Sequence, residues 1–170
     1  MKTLMLFSGN SKMIGDIIFV RSKSPLSWII RKLTKSNWSH VGVIVSEHYL
    51  IESNFFRPVK VRKNRYKDFR IIQLNITDKE RLNLISFLLD QTNRDYDYGR
   101  ILGILLYILG FSKNRHLWNN YNKDICSELV LRGLLELPEM SFLNDSITPE
   151  DIIEGLDKAN KSRISLEKQA

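Results

Sequence analysis

Short runs of apolar and β-branched residues alternate with polar positions through the first 75 residues of the chain. A period of two is typical of β-strands, because successive side chains of a strand point to opposite faces of the sheet. Polar and turn-forming residues separate the runs. The pattern predicts strands at residues 16–20, 40–46, 49–53, 59–62 and 70–74.

Apolar positions three and four residues apart, which are typical of helices, dominate the rest of the chain. They predict helices at residues 26–33, 78–91, 101–109, 126–135 and 149–156. Thr77 and Thr148 precede two of these helices and are candidate N-caps. The sequence therefore predicts one α+β domain at residues 1–158 and a flexible, polar C-terminal tail at residues 159–170.

The most apolar run, residues 101–111, has about half of the roughly 20 residues that a membrane-spanning helix needs. We expect it to form a buried helix. The apolar stretch at residues 1–8 is short for a secretory signal. These features predict a cytoplasmic chain.

Two neighbouring strands, at residues 39–46 and 49–53, predict a β-hairpin with its turn near Glu47 and His48. If Gly42 lies opposite Glu52, then His40 lies diagonally from Glu52 on the same face of the sheet. That register requires an odd-numbered loop, such as residues 46–48. A two-residue loop would put the two side chains on opposite faces.

Cys126 is the only cysteine of the 170 residues, and it begins an apolar helical run. A free thiol, with a pKa near about 8.5, is mostly protonated at neutral pH and needs activation to act as a nucleophile. A helix N-terminus, a nearby histidine and a carboxylate that orients the histidine all favour the thiolate. Asp124 is a candidate N-cap, His40 a candidate base and Glu52 a candidate orienting group.

Each of these residues alone is better explained structurally, as a buried cysteine, a hydrogen-bonded strand histidine and a solvated carboxylate. Together, in the order His, acid, Cys, they favour a thiol nucleophile. The chain resembles the permuted NlpC/P60 papain-like hydrolases, specifically the YiiX-like group. The matching segments are residues 15–19, 39–45, 51–53, 126–130 and 147–151.

The resemblance implies a circularly permuted papain-like fold, with a small antiparallel β-barrel or sheet packed against helices. It also implies that Cys126 is the nucleophile, His40 the general base and acid, and Glu52 the orienting group. Relatives often have an aromatic residue before the cysteine, where this chain has Ile125.

The expected function is that of a cysteine peptidase or amidase, which cleaves an amide or related acyl bond through a thioester on Cys126. One alternative is a lipid acyltransferase or lipid-amide hydrolase at an anionic membrane surface. Another is a binding module that retains the fold without catalysis.

Further candidates for substrate or oxyanion binding are Tyr96, Tyr98, Asn120 and Tyr121, although ordinary loop and capping chemistry is the favoured explanation for any one of them alone. His48 and His116 are expected to be exposed. We expect no metal, because the histidines and the single cysteine lack zinc-site spacing. We expect no other cofactor, because the glycines do not form a phosphate-binding loop.

Positive charge is concentrated in the first half of the chain. Residues 1–75 hold 14 Lys and Arg against 4 Asp and Glu, a net charge of +10, whereas residues 76–170 carry −3. The basic residues cluster at 21–35 and 57–70. They suit contact with an anionic surface, or simply a solvated face. Specific nucleic-acid binding is not expected, because Tyr66 and Phe69 are too few to make a stacking platform.

Overall fold

The computed structural model describes residues 14–55, 57–114, 117, 120, 122–144 and 148–167. The strands are β1 (Ile17–Val20), β2 (His40–Ser46), β3 (Tyr49–Asn54), β4 (Arg57–Lys63), β5 (Phe69–Ile72), β6 (Asp95–Tyr96) and β7 (Lys123–Asp124). The helices are α1 (Pro25–Leu33), α2 (Asp78–Asp90), α3 (Tyr98–Ile108), α4 (Cys126–Leu135) and α5 (Pro149–Glu167), and a 3-10 helix spans Pro138–Leu143. The chain is thus α+β, and strands are present at all five predicted positions.

Five strands form one antiparallel sheet in the order β4-β3-β2-β1-β5. Within the described residues β4 and β5 are the edge strands, and Val59 of β4 exchanges backbone hydrogen bonds with Asn93 and Arg94. The sheet is therefore open, so of the expected barrel or sheet the sheet is present and the closed barrel is wrong. Closure requires strands long enough to tilt and stagger around an axis. β1 and β5 have four residues each, which leaves little length for that stagger.

Both faces of the central strands are apolar. One face packs on α2, α4 and α5 through a core cluster that includes Ile17, Phe19, Val41, Val43, Ile51, Leu84, Leu88, Leu129, Val130 and Leu134. The other face carries Ile18, Val20, Ile44 and Leu50 with Tyr66, Phe69 and Ile71. Burial on both faces explains why β1 and the first half of β2 are fully buried.

The predicted start of α2 is confirmed by a capping box. The Thr77 hydroxyl accepts the Glu80 N–H at 3.3 Å, and the Glu80 carboxylate accepts the Thr77 N–H at 2.7 Å. These bonds satisfy backbone donors that a helix N-terminus otherwise leaves unpaired.

Two helices differ from prediction. α3 is only partly buried: Gly103 and Ile104 face the protein, but Leu102 and Tyr107 are exposed, as are Leu109 and Phe111 just after the helix. The expected buried helix is therefore wrong, because apolar composition does not determine which side another element covers. α5 continues through Glu167, so residues 159–167, predicted to belong to the tail, extend a helix. In the described part of the chain, no helix has both the length and the apolar character needed to cross a membrane.

Candidate active site

The β2–β3 hairpin places His40 beside Glu52. Val43 pairs with Ile51 and Ile44 with Leu50, which is the alternative register, with Gly42 opposite Glu52, that puts His40 and Glu52 on one face. The predicted odd-numbered loop is wrong, because the turn contains only Glu47 and His48. A β-bulge between Ile44 and Ser46 adds the extra residue, so the register is kept with a two-residue turn.

His40 Nε2 lies 2.6 Å from Glu52 Oε2, and both side chains are almost completely buried. Gly42, between them on this face, allows the close approach. A Cβ atom at position 42 would lie 2.8 Å from Leu50 Cδ1 and 3.0 Å from the Ile51 carbonyl oxygen. The hairpin thus fixes the relative position of the imidazole and the carboxylate.

Glu52 accepts bonds from further donors. The Tyr66 hydroxyl donates at 2.8 Å and the Asn54 amide at 3.4 Å, and Arg62 Nε lies 3.7 Å from Oε1. Burial alone would raise the pKa of Glu52, but its bond and charge interaction with His40 and the bonds from Tyr66 and Asn54 hold that pKa below its ordinary value. Glu52 is therefore a carboxylate at neutral pH.

Sequence reasoning missed these three partners. Asn54 lies two residues after Glu52 on the same strand, so its position on the same face was readable from the strand period. Tyr66 lies in the segment after β4 and Arg62 lies on β4 itself, so their approach to Glu52 depends on tertiary structure that no local pattern specifies.

Cys126 is the first residue of α4, whose predicted bounds are confirmed. Burial lowers the pKa of His40, but the charge of Cys126, a hydrogen bond with its side chain and the two interactions with Glu52 together raise it to about 10. Since Glu52 contacts Nε2, Nδ1 is the ring nitrogen available to the thiol. The imidazole is therefore held between the sulfur and the carboxylate.

Asp124 is not the N-cap of α4, which corrects the sequence prediction. The N-cap is Ile125, without a capping side chain. Asp124 lies in β7, buried between Arg94 at 2.6 Å and Arg132 at 2.8 Å. Two guanidinium groups hold this carboxylate away from the helix end. The N-cap residue thus makes no side-chain bond to the helix, and the positive end of α4 lies at Cys126.

Aromatic side chains lie next to the thiol. Phe55, Tyr96 and Tyr98 form a trio with ring centres 5.2 to 5.4 Å apart. Burial and the charge of Cys126 both raise the pKa of Tyr96, which places this ring near the sulfur. Tyr98 is 45% exposed, so the trio reaches from the buried thiol to solvent.

The remaining predicted residues are elsewhere or not described. Asn120 accepts the Asn122 N–H on its side chain at 3.0 Å and donates its own N–H to Asp97 at 2.9 Å, which is loop and capping chemistry. Tyr121 and His116 lie outside the described residues. His48 is exposed in the hairpin turn, as expected.

A buried ion pair supports the nucleophile helix and was not predicted. Arg100, 1% exposed on α3, donates from Nε to Glu128, two residues after Cys126. Burial raises the pKa of Glu128, and Arg100 opposes that shift. The pair fixes the start of α4 relative to α3. It joins residues 28 positions apart, so sequence spacing gave no signal for it.

The described residues bring together a thiol, an imidazole and a carboxylate, with an aromatic trio beside the thiol. This arrangement is suited to proton transfer from sulfur to imidazole and to nucleophilic attack by the resulting thiolate. Among these residues, no three His, Cys, Asp or Glu side chains form a group that could hold a metal ion. Comparison with known proteins gives no match for this chain, either among protein-family models or among curated proteins.

Proposed function

We propose that the protein is a cysteine hydrolase, a peptidase or amidase that cleaves an amide or related acyl bond, with Cys126, His40 and Glu52 as its catalytic triad. The observation that carries this proposal is the buried His40–Glu52 pair at 2.6 Å, together with the raised pKa of His40, to which Cys126 contributes. A permuted NlpC/P60 papain-like fold is part of the same proposal.

His40, with its pKa raised to about 10, already holds the proton in the resting pair, and acylation begins when the Cys126 thiolate attacks the carbonyl carbon. The tetrahedral intermediate collapses with cleavage of the C–N bond, while His40 gives the proton to the leaving nitrogen. An amine leaves, and the acyl group stays on Cys126 as a thioester.

Deacylation reverses the proton transfers with water as nucleophile. His40 takes a proton from water, the hydroxide adds to the thioester carbonyl, and the C–S bond breaks. The sulfur leaves as thiolate paired with imidazolium, and the carboxylic acid is released. Glu52 holds the ring orientation and stabilises the imidazolium throughout.

The oxyanion of each tetrahedral intermediate needs hydrogen-bond donors. Backbone N–H groups at a helix N-terminus are directed toward whatever lies beyond the helix end, and Cys126 is the first residue of α4. These groups are suited to the role. The aromatic trio favours an apolar or aromatic substrate group beside the scissile bond.

The first test uses the single cysteine of the chain, which makes every iodoacetamide adduct an adduct of Cys126. We expect the native protein to be alkylated rapidly at pH 6, and His40→Ala to be alkylated on the order of tenfold or more slowly at that pH. Rates equal to those of a simple thiol in both proteins would exclude an activated nucleophile and favour the binding module.

If the thiol is activated, a screen of peptides, simple amides and lipid amides identifies the substrate. Intact-protein mass spectrometry detects the thioester, and Cys126→Ala is the control. The exposed apolar side chains of Leu102 and Tyr107 on α3, and of Leu109 and Phe111 after it, favour a second candidate, in which the acyl group belongs to a lipid. Turnover of lipid amides or esters but not peptides would select that candidate.

A further inference from the structure

Among the described side chains of α1, a serine is buried while two large apolar residues are exposed. The buried Ser27 hydroxyl donates to the Ser22 carbonyl at 2.8 Å and contacts the Ser39 hydroxyl. Trp28 and Ile29 are 56% and 42% exposed. A helix packed on a core normally buries such side chains. Trp28 and Ile29 therefore form an exposed apolar patch on α1.

The same segment is strongly basic. Residues 21–35 contain five basic residues and no acidic residue: Arg21, Lys23, Arg31, Lys32 and Lys35. Within the described residues, none of the five is ion-paired with a carboxylate. Lys32 Nζ lies 5.0 Å from the centre of the Trp28 ring, so positive charge and apolar surface adjoin.

We propose that α1 is a docking site for an anionic lipid bilayer, with Trp28 and Ile29 inserted at the headgroup boundary and the basic residues on the lipid phosphates. Trp is favoured at membrane interfaces, and basic amphipathic helices bind anionic bilayers by burying an apolar face beside their charges. An aliphatic side chain such as Ile29 gains from insertion into lipid, whereas it offers no stacking surface to a nucleic-acid base.

The second basic segment, residues 57–70, is less suited to this role. Arg62 contacts Glu52, and Arg70 is paired with Asp157 at 2.7 Å, so part of its charge is already used within the protein. The docking site therefore lies on α1, beside Ser39, the residue before His40. The proposal does not depend on the hydrolase chemistry.

The experiment measures partitioning of the full chain onto vesicles of phosphatidylcholine alone or mixed with phosphatidylglycerol, by co-sedimentation and tryptophan fluorescence. We expect binding to the mixed vesicles that weakens as salt is added, and little binding to phosphatidylcholine alone. The double variant Trp28→Ser, Lys32→Glu should lose binding at least about tenfold, since each basic residue near the surface contributes about fivefold.

The matched control is Leu82→Ser, Lys79→Glu on α2, which also replaces an exposed apolar residue and changes the charge by the same amount. It should bind within about twofold of the native chain. Circular dichroism checks that both variants fold, and Ile29→Gln is a milder second variant with the same expected direction.

Three outcomes would overturn the proposal: no binding to mixed vesicles, equal losses in the α1 and α2 variants, or tighter binding to duplex DNA with the same dependence on Trp28. Cys126→Ala should bind vesicles like the native chain. Loss of the proposed catalysis and loss of docking are therefore separate results.

Discussion

The two ring nitrogens of His40 are held by two regions of the molecule in different ways. On the Nε2 side, Glu52 is also contacted by Tyr66, Asn54 and Arg62. On the Nδ1 side is the thiol of Cys126, which is positioned by the packing of α4. The ring orientation thus rests on several polar contacts, whereas the proposed nucleophile is a single group.

Of the substitutions around His40, removal of the proposed nucleophile should have the largest effect on activity. Cys126→Ala should lower kcat/KM on the order of 10⁴-fold, because no other group can form the thioester. A substrate found in the screen provides the assay. Activity retained by this variant would contradict the proposed chemistry.

The pH dependence of stability sharpens the comparison, because both regions raise the pKa of His40 from 6.5 to about 10. A raised pKa gives stability that is fully present below pH 6.5 and is lost as the pH rises toward 10. The free energy of unfolding in urea should therefore fall across this window in the native chain and fall less in His40→Gln. Parallel curves for the two proteins would contradict the shift.

Glu52 has the opposite dependence. The pKa of Glu52 is lowered. Its contribution to the free energy of unfolding is therefore present above the ordinary pKa of 4.5 and is lost as the pH falls below that value.

The helix that carries the thiol can be loosened without touching the polar contacts. Leu134 is fully buried in α4, so Leu134→Ala should lower the free energy of unfolding by about 2 to 5 kcal/mol. The matched substitution Leu82→Ala, 69% exposed on α2, should cost less than about 0.5 kcal/mol beyond helix propensity. Urea unfolding measures both, and equal costs would contradict the assigned packing.

Weakening the orienting carboxylate should be milder than removing the thiol. Glu52→Gln keeps the shape but removes the charge that stabilises the imidazolium, and we expect kcat/KM to fall about 10- to 100-fold. The alkylation rate at pH 6 should fall as well. A variant as inactive as Cys126→Ala but fully folded would show that Glu52 does more than orient the ring.

The smallest effect is expected from a single supporting donor. Tyr66→Phe removes one hydrogen bond to Glu52 and leaves His40 and Asn54, so the loss should be about 0.5 to 1.5 kcal/mol of unfolding free energy, with a few-fold change in kcat/KM. A collapse of activity would mean that the contacts around Glu52 are not redundant.

Local patterns were sufficient for the elements that carry the triad. Strand alternation predicted the two strands of the hairpin and left two alternatives for their register, and the apolar run after Asp124 gave the bounds of α4. These two predictions succeed because both features depend on which residues face the core, and the spacing of apolar residues in the sequence shows this directly.

The failures share a physical cause, which is contact between residues far apart in the chain. Asp124 looked like a cap, but Arg94 and Arg132 bind it. The exposed side of α3 and the open sheet edges depend on what covers them, and the pairing of Arg100 with Glu128 depends on how two helices pack.

The bulge at Val45 determines which side chains of β2 and β3 share a face of the sheet. If residue 45 were kept but paired regularly, with the Glu47–His48 turn unchanged, Val43 would lie opposite Glu52 and the two faces of β3 would be exchanged. The carboxylate would then point into the apolar layer under the helices and Ile51 away from it. Deleting residue 45 would instead remove the bulge and leave Gly42 opposite Glu52, because Ser46 with Tyr49 and Ile44 with Leu50 would then be consecutive pairs. The face on which the carboxylate lies therefore depends on how the one extra residue of β2 is accommodated.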